Sequence, residues 1–292
     1  MSMLNNLSKE EKNNLFNNIK KEFIYEFNLF RREPKSILSD LKEYLNLFKE
    51  NILHRENHDP IETEEGVFAV EELIQELSNF DKSLNYIEES SYLNSSSYDH
   101  AKDIGTKGIA SHESSNGLNL SERIDLYCEW EGCCAENIAF ACYNGKSALI
   151  EFLVDDGITN RAHRQNLLSD NYNYIGVGVE EHKEYGIVIV LNLVSKIREK
   201  NKPYFDSEER ARIKKEKESD YLNSKIEEKE APKQKVYKNN YQIDDEDAPD
   251  NTINVKVIKS TNDYNGERYN VTKKIYTLED GNKTIVEVED HN

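Results

Sequence analysis

The sequence predicts an α+β fold: helices first, then a sheet, then a charged linker and a small C-terminal β-meander. Three observations carry this expectation. Apolar residues recur at helical spacing in four early stretches, residues 174–194 alternate and then turn continuously apolar, and residues 251–292 alternate again around Asp280-Gly281.

The first helix opens at Ser8-Lys-Glu-Glu11, a capping box in which hydroxyl and carboxylate satisfy each other's backbone amides. Phe16, Ile19, Phe23, Phe27 and Phe30 follow on one face, and Pro34 marks the stop. A second helix carries Ile37, Leu41, Leu45 and Phe48, and a third carries Val67, Val70, Leu73, Ile74 and Leu77. A fourth is expected from about Glu89 to Asp103, through Leu93 and His100. Apolar stripes of this kind are core-facing. Glycines and serines then predict a structured loop over residues 105–119. A short strand is expected at Glu136–Phe140 and a short helix at Ser147–Val154, stopped by Asp155-Asp156-Gly157. Tyr174–Glu180 and Tyr185–Val194 are strands joined by the turn Glu181–Glu184. Gly176 and Gly178, inside a strand, predict close backbone packing or a bulge, not a phosphate loop.

Beyond Ser195, Asp206–Glu230 holds 16 charged residues in 25 with both signs mixed, a solvated helix or a disordered linker. Pro232–Pro249 reads as an extended tether ending in Asp244-Asp245-Glu246-Asp247. The expected division is a domain over 1–195, a helical or extended linker over 196–250, and a β-hairpin or meander over 251–292. Such a small sheet needs a surface to dock on, so residues 196–292 are the expected protein-binding region.

Composition narrows the function classes. Apolar residues are 37 % and charged residues 32 % of the chain, and 56 acidic against 38 basic side chains leave −18. That field repels a polyanion, which argues against nucleic-acid binding. The longest apolar run, Gly186–Val194, has nine residues and contains Asn192, against the ~20 a membrane-spanning helix needs. The N-terminal residues show no secretory pattern, so an intracellular, cytoplasmic protein is expected, with Cys128, Cys133, Cys134 and Cys142 as thiols. Adjacent Cys133 and Cys134 make a poor pair for bridging each other, Cys128, Cys133 and Cys134 lack the paired C-x-x-C spacing of a zinc knuckle, and the cysteines are expected to be buried, inert thiols next to the Glu136 strand. His54, His58 and His291 lie in polar contexts and His182 at an expected hairpin tip; all four read as solvated.

The middle of the chain is different. It contains Ser111-His112-Glu-Ser-Ser115, Ala135-Glu136-Asn137-Ile138, and Asn160-Arg161-Ala-His163-Arg164-Gln-Asn166 leading to Ile175-Gly-Val-Gly178. In this order and spacing the motifs resemble the CAP superfamily, also called SCP: cysteine-rich secretory proteins, antigen 5 and plant pathogenesis-related proteins. The resemblance covers residues ~15–195, and the short gap between its second and third motifs resembles the microbial and protist branch. It implies an α-β-α sandwich with a cleft lined by two histidines and two carboxylates. His112 takes the place of the first histidine, Glu136 of the first glutamate and His163 of the second histidine. Phe152 takes an aromatic position normally held by tryptophan, and Asp155, with Asp156 as the fallback, replaces the second glutamate.

Two imidazoles and one or two carboxylates suit a divalent metal, Zn²⁺ first, and the same groups suit proton transfer. The plain alternative is that His112 and His163 tie loops over the sheet through carboxylate hydrogen bonds. Arg161, Arg164 and Asn166 read as scaffolding, the guanidinium groups clamping the Asp155-Asp156 turn and Asn166 closing its own. Ser114 and Ser115 lack a nucleophile elbow and do not suggest a serine hydrolase. The leading expectation is therefore a non-enzymatic interaction or structural protein with a vestigial or reversible metal cleft. Its Asn, Lys and Tyr richness resembles an AT-rich protist proteome, where a large cytoskeletal or ciliary assembly is the expected host. The alternatives are a metal-dependent hydrolase or protease using His112, Glu136 and His163, and neutral lipid or sterol binding.

Overall fold

Ser8 starts the first helix as the capping box requires. Its hydroxyl oxygen accepts from the Glu11 N–H at 3.3 Å, and the Glu11 carboxylate accepts from the Ser8 N–H at 2.8 Å. The structure, a computed structural model, describes residues 3–55, 60–198, 207–230, 233–235, 252–264, 267–278 and 283–291. Helix α1 (Lys9–Arg32) buries Phe16, Ile19, Phe23, Phe27 and Phe30 along its predicted face. Pro34 opens a 3₁₀ turn into α2 (Leu38–Leu45). Phe48, expected on that helix, instead begins β1 (Phe48–Lys49), which forms a small antiparallel sheet with β2 (Ile52–Leu53) and β3 (Ile61–Glu62). Helix α3 (Val67–Ser78) follows.

The main sheet is built from β4 (Glu88–Glu89), β5 (Glu129–Phe140), β6 (Tyr174–His182) and β7 (Gly186–Arg198), in the order β4-β6-β7-β5. Helices α4 (Ser91–Lys107) and α5 (Leu120–Asp125) lie between β4 and β5; α6 (Gly145–Val154) and α7 (Ala162–Leu168) lie between β5 and β6. Strand β7 shows the layering residue by residue. Ile187, Ile189, Leu191 and Leu193 join the core shared with Phe23, Phe27, Leu149 and Phe152 of α1 and α6. Val188 and Val190 pack with Ala101 and Ile104 of α4, and Val194 with Leu93. A strand buried on both faces reads as one apolar run, which is why its sequence lacks alternation. The result is the expected α-β-α sandwich.

Gly176 and Gly178 explain how closely the layers approach. A Cβ on Gly176 would stand 2.1 Å from the Leu93 carbonyl carbon, and one on Gly178 would stand 2.3 Å from that of Ser97. Bare backbone at both positions lets α4 lie directly on β6, and Ser97 Oγ–H donates to the Gly176 carbonyl at 3.1 Å.

By contacts the chain divides into Met1–Lys217 and Glu218–Asn292. The charged stretch is helical: α8 spans Ser207–Glu230. Its start belongs to the first unit, where Ile213 packs on Leu118, Leu126 and Tyr127, Lys214 pairs with Asp99, and Lys217 meets Glu122 at 2.9 Å. The first unit thus runs past residue 195, through the end of β7 and into α8. In the second unit β8 (Lys233–Lys235), β9 (Thr252–Tyr264), β10 (Glu267–Leu278) and β11 (Lys283–His291) form a sheet of order β8-β11-β10-β9. The β9-β10 and β10-β11 pairs are antiparallel, as a meander requires, whereas β8 adds in parallel. The predicted Asp280-Gly281 turn and the acidic run 244–247 lie outside the described residues. No helix among the described residues is long and apolar enough to cross a membrane.

Candidate functional site

His112 rides on the loop between α4 and α5, and the loop is held from below. Asp103 of α4 accepts from the Ser115 N–H at 2.7 Å and its hydroxyl at 2.6 Å. His100, also on α4 and fully buried, meets the Ser111 carbonyl through Nε2 at 3.0 Å and the Ser114 hydroxyl through Nδ1 at 3.1 Å. Burial pushes His100 down to about 4, against the opposing pull of Glu136, so the ring is neutral at physiological pH and Nε2–H is the donor to Ser111. Arg123 of α5 donates to the carbonyls of His112 at 2.8 Å and Leu118 at 3.0 Å.

The loop presents His112 to β5. Its Nδ1 lies 2.9 Å from Glu136 Oε1, while Arg123 Nη2 donates to Glu136 Oε2 at 2.5 Å. Burial would raise the Glu136 carboxyl, but the His112 hydrogen bond and the Arg123 charge outweigh it and hold the group below the usual carboxylate range. Glu136 is buried, whereas the His112 side chain is 62 % exposed.

A second dyad forms at the junction of α6 and α7. Asp155 ends α6 in the left-handed region, φ +55°, a conformation that Asp tolerates better than most residues. Its Oδ1 lies 2.7 Å from His163 Nδ1, and its Oδ2 accepts from the backbone N–H of His163 at 2.8 Å and of Arg164 at 3.3 Å. Asp156, the fallback for this corner, turns away and accepts from the N–H groups of Glu64 and Glu65. Phe152 packs edge-on against His163 at 5.9 Å between ring centroids.

The dyads flank one edge strand. Glu136 pairs in register with Asn192, whose side chain reaches Ser96 of α4, so Glu136 faces the α4 layer. The next residue, Asn137, faces the opposite layer, donates to the His163 carbonyl at 3.0 Å and accepts from Asn166 Nδ2 at 2.8 Å. Consecutive residues of β5 therefore anchor the two histidines, and in both the nitrogen not engaged by a carboxylate is Nε2.

Several sequence expectations need correction. His182 is not a solvated hairpin-tip residue but is buried, with Nε2 bonded to the Ile109 carbonyl and Nδ1 accepting from the Glu184 and Tyr185 N–H groups. His54 is half-buried, His58 lies outside the described residues, and nothing is described of the His291 side chain. Arg161 and Arg164 do bond carbonyls of the 153–158 turn, but their main partners are Glu65, Glu72 and Glu76 on or just before α3. Asn166 reaches Asn137 across the layer rather than closing its own turn. Ser114 is buried between His100 and Arg123, as a structural hydroxyl. Cys128 and Cys142 are buried as expected, but Cys133 is exposed. His100 and Arg123 complete the site, and their only sequence signal was the proximity of single polar residues to the motifs. Among the described residues, no group of three or more His, Cys, Asp or Glu side chains is arranged to hold a metal ion.

Residues 81–193 match the family model of the cysteine-rich secretory protein family, CAP. Among solved structures, an extracellular SCP-domain protein from Bacillus anthracis is 23 % identical, with a TM-score of 0.32 over 39 % of this chain and 35 % of that one. An outer surface protein from Borrelia burgdorferi is 17 % identical, with a TM-score of 0.34 over 44 % and 90 %. Venom allergen-like protein 4 from Schistosoma mansoni is 12 % identical, with a TM-score of 0.33 over 69 % and 97 %. The chain thus aligns with about a third of the Bacillus protein's length. No curated relative matches the sequence.

Proposed function

Because residues 81–193 form a CAP superfamily domain, we propose that the protein is a non-enzymatic binding protein whose His112 and His163 reversibly hold a divalent cation such as Zn²⁺. One observation carries this reading: both carboxylates are already engaged. Glu136 is shared between His112 and Arg123, and Asp155 between the His163 ring and two backbone amides. Neither is a free general base or a free ligand. Each instead orients an imidazole by its Nδ1, the outer-shell arrangement that prepares Nε2 for a metal. Two nitrogens with water in the remaining positions make a weak, exchangeable site rather than a closed structural one. A bound ion would supply charge and an open coordination position; this chain's own residues fix the rings and shield the carboxylates. Strand β9 lies at the edge of its sheet, which supports docking onto a protein partner by strand addition.

The test is calorimetric titration of the full chain with Zn²⁺. The wild type should bind one ion per chain, His112→Ala and His163→Ala should each abolish the titration, and Asp155→Asn should weaken it about tenfold or more. No heat from the wild type, or wild-type affinity retained in either alanine variant, would overturn the proposal. Turnover of an ester or peptide that is lost in a folded His112→Ala protein would establish the hydrolase instead.

A further inference from the structure

The outer edge of a sheet leaves backbone N–H and C=O groups that need partners. In the main sheet the two edges are β4 and β5. The β4 side is finished by asparagine side chains. Glu88 and Ser90 donate to the carbonyls of Asn173 and Ile175 on β6, so Ile87 faces outward, and Asn28 of α1 meets both its N–H and its carbonyl, at 2.9 and 3.1 Å. Past the end of β4, the Val177 N–H donates to Asn94 Oδ1 at 2.9 Å.

The β5 side is not finished. Just past the strand, the Ala141 N–H donates to the Ile187 carbonyl at 2.9 Å, and the register from Cys134 to Phe140 runs without a shift. Ladder bonds alternate along an antiparallel pair. Ala139, Asn137 and Ala135 therefore turn their N–H and C=O groups toward β7, while Phe140, Ile138 and Glu136 turn theirs off the sheet. The β6 side gives the same phase. Ile175 directs its carbonyl to Ser90, so Gly176 and Gly178 face β7, which leaves Leu191 and Ile189 for β5. The Phe140 carbonyl meets the Cys142 thiol at 3.4 Å. The backbone N–H and C=O groups of Glu136 and Ile138 meet no partner among the described residues.

The start of β5 is guarded. Gly132 and Cys133 oppose the single residue Ser195, a bulge that follows Glu129 and Glu131. Bulges and charges close an edge to other strands. Residues 134–140 carry one charge, Glu136, and it is already bonded to His112 and Arg123. The two faces beside this stretch differ. Ile138 and Phe140 share the α4 face with Glu136, are half-buried and pack on Ala101, Ile104, Val188 and Val190. The Phe140 ring lies 4.9 Å from that of Tyr185, which is exposed. On the other face Asn137 and Ala139 are buried, and Asn137 holds the His163 carbonyl.

We propose that the β5 edge at residues 136–140 is a binding site for an extended peptide, a segment of a protein partner with apolar side chains at alternate positions, which adds to the main sheet as a further strand beside His112 and His163. The free N–H and C=O groups of Glu136 and Ile138 repeat at the spacing of a strand, and another extended backbone is what satisfies them together. Its apolar side chains lie across from Ile138 and Phe140, the half-buried cross-strand neighbours. The site needs no metal ion, so it goes beyond the cation reading of the same cleft and is testable apart from it.

The test is a fluorescence anisotropy titration of the full chain, in EDTA, with a fluorescein-labelled, end-capped peptide of sequence Lys-Thr-Val-Thr-Val-Thr-Val-Lys. Saturable one-to-one binding is expected. Two N-methylated versions, one modified at the valine amides and one at the threonine amides, should part: one binds about tenfold or more weaker, having lost its ladder donors, and the other stays within about twofold. Hydrogen exchange at the Glu136 and Ile138 amides should slow when the peptide is added, with Asn137 and Ala139 unchanged. Ile138→Pro removes an outward N–H that the β7 ladder does not use, where an edge strand accepts proline; it should lose the peptide and still melt cooperatively. No saturation, equal loss in both methylated peptides, or unchanged exchange at Glu136 and Ile138 would each overturn the proposal. So would protection of those amides in a peptide-free dimer, which would give the edge to a second copy of the chain. Peptide binding in EDTA by a chain that gives no heat with Zn²⁺ would remove the cation reading and support this one.

Discussion

Glu136 is pulled in opposite directions, and the outcome decides how the site responds to acid. Burial favours its neutral form, while the His112 hydrogen bond and the Arg123 charge favour the carboxylate and win. Its value is therefore lower folded than unfolded. The stabilisation is complete above the ordinary carboxylate range and is lost as pH falls through the depressed folded value. Glu136→Gln removes the charge and leaves Arg123 buried against a neutral amide, with its Nε already lacking a hydrogen-bond partner among the described residues. Breaking a buried pair from one side costs about 3–5 kcal/mol. Urea unfolding at neutral pH should show that loss, and the variant's stability should fall less steeply on acidification than the wild type's. Resemblance singled out His112, Glu136 and His163 as candidates, and the structure pairs His112 with Glu136 and His163 with Asp155. Their supports were not legible, because His100 and Arg123 are single polar residues on helices and no periodicity marks what a buried polar side chain will meet.

At the scale of elements, the approach of α4 to β6 is what places the loop bearing His112. Gly176→Ala would drive a Cβ into the backbone of Leu93, where no flexible side chain can yield. Overpacking of this kind costs about 1–3 kcal/mol, and backbone against backbone puts this case at the upper end. Chemical denaturation should show a lower midpoint with an unchanged slope. Because His100 and Asp103 ride on α4, the same variant should also weaken any Zn²⁺ titration. The long helices and β6 and β7 were readable from period and caps. Helices α5 and α7 were not: six and seven residues are too few to display a stripe. Only the second half of β5 was foreseen, since the bulge at Gly132-Cys133 breaks its register and its first half carries little apolar signal.

For the whole molecule, the boundary between units has a measurable consequence. All the described apolar clusters fall within Met1–Lys217, and they include Ile197 near the end of β7 and Ile213 on α8. A chain ending at Lys217 should melt cooperatively with the thermal midpoint of the first transition of the full protein. A chain ending at Ser195 loses both isoleucines and should be destabilised by about 2 kcal/mol or more, the worth of one such side chain. Circular dichroism melts of the two truncations check this. The amino-acid sequence alone determined where the long helices before the sheet run, where β6 and β7 lie and the meander at the C-terminal end, while the choice between helix and disordered linker for the charged stretch was left to the structure. Those depend on periodicity, caps and turn residues within a few positions of each other. Only the tertiary structure decided between neighbours: Asp155 and not Asp156 against His163, Cys133 exposed beside the half-buried Cys134, His182 inside and not at a tip. Adjacent residues share the same local pattern and differ only in the direction their side chains leave the backbone, and that direction is set by packing against elements far away in the chain.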